Sequence, residues 1–207
     1  YSVSKPRREL CIEAAQAGLK AKADLKPEDI SLYIGIPFCP TRCAYCSFVS
    51  QAVEKSFALM EPYLEVLLGE ITQAAQMVKD LGLNVKSFYM GGGTPTTLSA
   101  GQMDRLLTHL NHSFDLSHCA EYCIEAGRPD TIDREKLQVL LDHGCDRISV
   151  NPQSLEDSVL QAIGRRHTAA DIEQTMGLAT SMGFKHVNMD LIAGLPADTP
   201  EGFRRTL

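Results

Sequence analysis

Residues 32–46 read LYIGIPFCPTRCAYC, a run of strand-forming residues over 32–37 followed at once by Cys39, Cys43 and Cys46. The β-branched and aromatic content of the first part marks a buried strand. Three thiols crowded onto the loop behind it suit a metal site better than a secreted disulfide framework. In a parallel βα fold that loop lies at the C-terminal end of its strand, on the rim where such folds bind ligands. A cubane cluster has four irons, so three cysteines leave one iron without a protein ligand. An open position of that kind is what catalytic metal sites keep for a substrate. A zinc knot is the competing reading. It needs a fourth ligand, and Cys119, Cys123 or His118 could provide it, although structural zinc spacings favour two residues between both cysteines.

Outward from this stretch, strand and helix patterns alternate. Leu64, Leu67, Leu68, Ile71, Ala75 and Val78 follow helical spacing, with Gly82 as the stop. A second strand over 85–90 (VKSFYM) ends in Gly91-Gly92-Gly93. Ser99 and Gln102 form a capping box before Met103, Leu106, Leu107 and Leu110. The spacing then predicts a strand at 121–126, a helix at 133–143 closed by Gly144, and a strand at 147–150. Helices at 155–163 and 169–182, a fifth strand at 186–192 and a helix opened by Thr199-Pro200 complete the series. Five βα units in strict alternation imply a parallel sheet with right-handed crossovers. An open doubly wound sheet and a full or partial barrel both satisfy that periodicity. Residues 1–30 read as a lead-in of one weak helix and a turn at Lys26-Pro27, and residues 31–207 as the core domain.

Composition narrows the function. The 207 residues are 44% hydrophobic and 22% charged, ordinary for a globular chain, and the net charge of −6 argues against a general nucleic-acid binder. No apolar run approaches the roughly 18 residues that cross a membrane. The start, YSVSKPRREL, lacks an initiator Met and the apolar core of a signal peptide, so the expectation is a cytoplasmic protein trimmed at its N-terminus. Asp190 stands inside an apolar strand, where an unpaired carboxylate is costly, so it needs a partner such as a ribose hydroxyl or a cation. His109, His112 and His143 fall on or near helices and read as surface or satisfied residues. Met77, Met103, Met176 and Met182 fit core faces. The GGGTPT segment is no phosphate loop, because no Lys-Ser/Thr follows it.

YIGIPFCPTRCAYC resembles the cluster loop of radical S-adenosylmethionine (SAM) enzymes. Together with GGGTPT at 91–96, Glu125, Gln153 and NMDLIAGLP at 188–196, it resembles the oxygen-independent coproporphyrinogen III oxidase (dehydrogenase) family, from about Leu32 onward. That resemblance implies a partial TIM-type barrel, truncated here before its last strand, with a 4Fe-4S cluster on Cys39, Cys43 and Cys46. It places Tyr33 beside the cluster-bound SAM and gives the SAM amino group to Gly91, Gly92 and Gly93. Tyr45, Thr94, Glu125, Gln153, Arg165 and Asp190 are then further cofactor-binding residues. The implied chemistry is one-electron cleavage of SAM to methionine and a 5′-deoxyadenosyl radical, which takes hydrogen from a propionate of coproporphyrinogen III. Loss of CO2 leaves a vinyl group, and two such events give protoporphyrinogen IX. An electron donor such as flavodoxin or ferredoxin is the implied partner. A haem-binding chaperone of the same family, or a radical SAM methylase or ring-opening enzyme acting on haem, is the alternative. Two departures stand out: Gly35 replaces a frequent His, and Ser47-Phe48 stands where the oxidases carry a further cysteine, which a haem-chaperone subgroup also lacks.

Overall fold

The computed structural model describes residues 2–48 and 50–207. A leading helix, α1 (Lys5–Ala23), buries none of its residues. The sheet begins with β1 (Asp29–Ile36), and the cysteine loop is bracketed by two short paired strands, β2 (Phe38–Cys39) and β3 (Gln51–Ala52). Then follow α2 (Val53–Ser56), α3 (Met60–Asp80), β4 (Asn84–Gly92), α4 (Ala100–Ser113), β5 (Glu121–Gly127) and α5 (Arg134–Asp142). The series closes with β6 (Arg147–Gln153), α6 (Asp157–Ala162), α7 (Ala169–Ser181), β7 (His186–Leu191) and α8 (Pro200–Thr206).

The main sheet is five-stranded and parallel, in the order β1-β4-β5-β6-β7. That order advances in one direction. A doubly wound sheet reverses direction at a switch point, so the winding is of the barrel kind. Among the described residues β1 pairs only with β4 and β7 only with β6, so the sheet is open-edged.

Register explains why the sheet holds both a core and a site. Tyr33 lies opposite Tyr89, Tyr89 opposite Cys123, Glu125 opposite Ser149 and Ser149 opposite Asn188, so one face is polar across all five strands. The alternate residues Ile34, Ile36, Phe88, Met90, Ile124, Ala126, Ile148 and Val150 are buried on the other face. There they pack with Leu64, Leu67 and Ile71 of α3, Met103, Leu106, Leu107 and Leu110 of α4, and Leu137 and Leu140 of α5. Each of these side chains other than Ala126 contributes ~1.5–3 kcal/mol of burial. A smaller cluster of Val159, Leu160, Ile163, Ile172 and Leu195 seats α6 under α7.

The helix boundaries follow their caps. Ser99 and Gln102 form the expected capping box, Thr168 and Asp171 form a second, and the Asp133 and Thr199 side chains accept from the backbone N–H groups of Lys136 and Gly202. Gly144 takes the left-handed turn (φ 83°) that ends the segment of α5. Three details differ from the sequence reading. β6 runs on through Asn151, Pro152 and Gln153, where its register with β7 shifts. Met77 is 63% exposed, because it falls on the outer side of α3. Asp190 is exposed rather than buried: β7 is the outer strand of this sheet, and Asn188, Met189 and Asp190 on it are all exposed. Its carboxylate is met by the Asn188 Nδ2, which donates to Oδ1 at 2.9 Å.

Candidate functional site

The strand C-termini open into a cavity of roughly 520 Å³. Its lining brings together Cys39, Cys43, Cys46, Tyr33, Tyr45, Gly92, Gly93, Thr94, Glu125, Gln153, Arg165 and Asp190. Of the residues singled out from sequence, only Gly91 lies outside the lining. It sits beneath it, where an added Cβ would stand 2.6 Å from the Tyr89 ring and 2.8 Å from Glu125 Oε2.

The cysteine loop is fastened at its base. Gln51 N–H donates to the Pro37 carbonyl at 2.7 Å, which draws the two ends of the loop together. The glycine segment is stitched to the same stem: Gly93 N–H donates to Ile36 O and Thr94 N–H to Phe38 O, both at 2.8 Å. The Thr94 hydroxyl approaches Cys39 Sγ at 3.6 Å. Behind these contacts, the Tyr63 hydroxyl donates to the Gly35 carbonyl, and the Tyr63 ring meets Phe38 edge-on.

On the polar face, Asn151 Nδ2 donates to Glu125 Oε1 at 2.8 Å. Burial pushes the Glu125 carboxyl up from its ordinary value; the Asn151 bond and Arg165 oppose that shift and Asp190 adds to it. Arg165 donates to the Asn151 carbonyl at 3.2 Å and to the Tyr45 hydroxyl at 2.9 Å. Burial raises the Tyr45 phenol against the pull of that guanidinium. Tyr33 and Tyr89 stack at 6.1 Å between ring centroids, 9° from parallel. Burial, reinforced by Glu125, raises Tyr89 well above the usual phenol range. Gln153 takes a φ of 70°, a conformation that costs a non-glycine residue on the order of 1–3 kcal/mol and recurs at ligand sites.

Among the lining residues that escaped the sequence reading are Asn151, Tyr89 and Arg128. Asn151 shares a two-residue period with Ser149 and Gln153, a signal that the intervening proline hid. Tyr89 stands two residues before the glycines and one register step from Tyr33. Arg128 directly follows β5, but its partner Thr41 is 87 residues away, beyond any local pattern.

The proposed fourth zinc ligands lie elsewhere. Cys119 precedes β5 and donates to Glu121 O at 3.1 Å, and His118 lines a separate hollow of roughly 430 Å³ with Lys79, Asn84 and Asp115. β5 separates that end from the rim by roughly 20 Å, at about 3.3 Å per residue. Cys123 is buried two residues before Glu125, within the strand. Among the described residues no three His, Cys, Asp or Glu side chains are grouped to hold a single metal ion. Three histidines on or beside helices have partners: His109 in Leu68 O, His112 in Thr108 O and His143 in Asp104.

A family model described as the radical SAM superfamily matches residues 33–207. The chain belongs to the radical SAM superfamily. Its relatives within that superfamily include the oxygen-independent coproporphyrinogen-III oxidase-like protein HemZ of Bacillus subtilis, 40% identical over all of this chain and 42% of that protein. The heme chaperone HemW of the same organism is 36% identical over 82% of this chain and 44% of its own length. Among solved structures, coproporphyrinogen III oxidase (HemN) from Escherichia coli, a radical SAM enzyme, superposes with a TM-score of 0.77 at 33% identity, over 92% of this chain and 43% of that one. The chain thus spans less than half the length of these relatives. No helix among its described residues is long and apolar enough to cross a membrane.

Superfamily membership implies SAM and a 4Fe-4S cluster, and the cavity suits both. Three soft thiol ligands on one loop match iron–sulfur chemistry. Asn151 Oδ1, Gln153 Oε1 and Arg165 Nε are buried without a hydrogen-bond partner, each costing about 1–3 kcal/mol until a ligand meets it. Two acceptors and a donor complement a zwitterionic, hydroxyl-bearing guest.

Proposed function

We propose that this chain is the SAM-cleaving core of an anaerobic tetrapyrrole enzyme, acting on coproporphyrinogen III by oxidative decarboxylation toward protoporphyrinogen IX. The observation that carries the reading is one cavity lined by the three loop cysteines, the glycine segment, Glu125 and the unpartnered atoms of Asn151, Gln153 and Arg165. When bound, the cluster and SAM supply a one-electron reductive cleavage and thereby hydrogen-atom abstraction from carbon. The chain supplies placement. Cys39, Cys43 and Cys46 would hold the cluster, three thiolates being one fewer than its four irons. Gly91, Gly92 and Gly93 would accept from the SAM amino group, Gly93 keeping the floor clear of side chains next to Cys39, and Glu125 would bind SAM from the end of β5. Gln153, Arg165 and Asp190 receive the rest of the SAM molecule, and Tyr33 stands beside it.

The relatives support a tetrapyrrole substrate, since the oxidase-like, oxidase and haem-chaperone proteins all concern that chemical class by name. Ser47-Phe48 in place of a further cysteine favours a second reading, a haem-carrying protein on the same frame. One experiment separates the two. Anaerobically reconstituted protein, given SAM, a flavodoxin or chemical reductant and coproporphyrinogen III, should release CO2 and 5′-deoxyadenosine and form vinyl products. Stoichiometric haem binding with no decarboxylation would replace the oxidase reading with the chaperone reading.

A further inference from the structure

Thr41 lies midway between Cys39 and Cys43, and its surroundings are out of proportion to a loop residue. Arg128, 3% exposed, reaches it from the end of β5. The Arg128 Nη1 donates to both Thr41 Oγ1 at 2.7 Å and Thr41 O at 3.2 Å. The remaining edge of the same guanidinium, Nε and Nη2, donates to Asp130 Oδ1 and Oδ2, each at 3.0 Å. Beside Asp130 lies His167, whose side chain is fully buried with Nδ1 3.6 Å from Oδ1, an approach longer than a hydrogen bond. From the other side, the Thr41 hydroxyl donates to Gly164 O at 3.3 Å, and Ala44 N–H donates to Ile163 O at 3.1 Å. The cysteine loop is therefore pinned between the end of β5 and the turn after α6.

We infer that Arg128 is a positioning residue that pins the cysteine loop to the rim at Thr41 before any iron is present. A planar guanidinium can grip a carboxylate with one edge and a carbonyl with another, which an ammonium on a flexible stem cannot do. A buried charge of this kind persists only with its carboxylate in place, so the grip on Thr41 depends on the Asp130 pair, whereas the pair does not depend on the Thr41 hydroxyl. The benefit is entropic. A loop that must bring three thiolates to one cluster loses conformational freedom on loading, and a loop ordered in advance loses less. The purpose rests on reading the loop as a cluster site; the clamp itself does not, and the test keeps them apart.

The experiment labels the reduced, metal-free protein with iodoacetamide and follows each cysteine by peptide mass spectrometry. Exposed Cys11 on α1 and deeply buried Cys145 serve as internal references. Arg128→Met and Arg128→Lys should each speed labelling of Cys39 and Cys43 roughly tenfold or more relative to Cys11, the scale of one lost charge-assisted bond, while Cys145 stays slow. Thr41→Val removes the hydroxyl contacts and keeps the buried ion pair, so it should speed the same two cysteines by several-fold with an unchanged melting temperature. That milder variant decides the matter if the Arg128 variants do not fold. After reconstitution, the same variants should lose iron to a chelator faster than the parent protein. Unchanged Cys39 and Cys43 labelling, or Cys145 accelerating in step with them, would overturn the clamp. Failure of the parent protein to take up iron would count against the cluster reading, while the labelling rates would still decide the clamp.

Discussion

Replacing Gly93 by Ala should remove the cluster and cost measurable stability. A Cβ at that position would stand 2.6 Å from Phe38 O, 2.9 Å from Cys39 Sγ and 3.0 Å from Ile36 O, where ordinary contact begins at 3.4 Å. Two of the three obstacles are backbone oxygens already committed. Ile36 O accepts from Gly93 N–H and Phe38 O from Thr94 N–H, both at 2.8 Å. Relief therefore requires the glycine segment and the stem of the cysteine loop to move apart, carrying Cys39 with them. Forced overpacking of this kind costs about 1–3 kcal/mol. For a chain of this size that lowers the melting temperature by roughly 2–4 °C per kcal/mol. The assay is thermal melting of the metal-free protein beside iron per chain after reconstitution. Gly69→Ala is the control: a Cβ there meets nothing within 4 Å in α3, so helix propensity predicts a gain of roughly 0.5–1 kcal/mol. A Gly93→Ala protein with parental melting and full iron would refute the claim that the glycine segment and Cys39 share one tightly packed floor.

Cys39→Ala, Cys43→Ala and Cys46→Ala should each abolish brown colour and iron, whereas Cys119→Ala and Cys123→Ala should keep both; iron loss in the latter pair, read by metal analysis, would revive a four-ligand site. Asp190→Ala should leave iron per chain intact and slow 5′-deoxyadenosine formation roughly 10- to 100-fold, for one hydrogen bond to a charged group worth about 1.5–3 kcal/mol; equal turnover would make Asp190 merely a partner of Asn188. Glu125→Gln should stabilise the metal-free protein near neutral pH. Burial raises the Glu125 carboxyl above 4.5, so the folded state loses stability as pH climbs from that value through the folded one, and Gln escapes the loss while still accepting from Asn151. Melting temperatures should therefore converge below pH 4.5 and separate above it; parallel curves across the whole range would contradict the burial argument.

The succession of strands and helices was plain in the sequence because the helix-facing side of each strand is strongly apolar, while the order of the strands in the sheet stayed open between a doubly wound sheet and a barrel. The rim was plain because the cysteines and glycines directly follow strands. What stayed hidden has physical causes. The extension of β6 was masked by Pro152, whose missing N–H argues against a strand interior. Asp190 was expected to be buried because Val187, Leu191 and Ile192 suggest a covered strand, but an outer strand is paired on one side only, and its polar face stays open. Arg128 could not be matched to Thr41, since nothing local in either segment encodes a contact formed only when β5 and the cysteine loop reach the same rim. Tyr89 was absorbed into a strand pattern, and only register shows that it stacks on Tyr33.

The alternation along the strands has a consequence for how this molecule can change over generations. Ile124 is fully buried against the helices while Glu125, its neighbour, lines the cavity. Substitution at one position decides whether the chain folds, and at the next, what it holds. A lineage can thus exchange lumen residues such as Tyr89 or Asn151, and with them its small-molecule repertoire, without rebuilding the scaffold beneath. The vulnerability is the insertion or deletion of a single residue within a strand, which would turn every later side chain to the wrong face and forfeit structure and chemistry together.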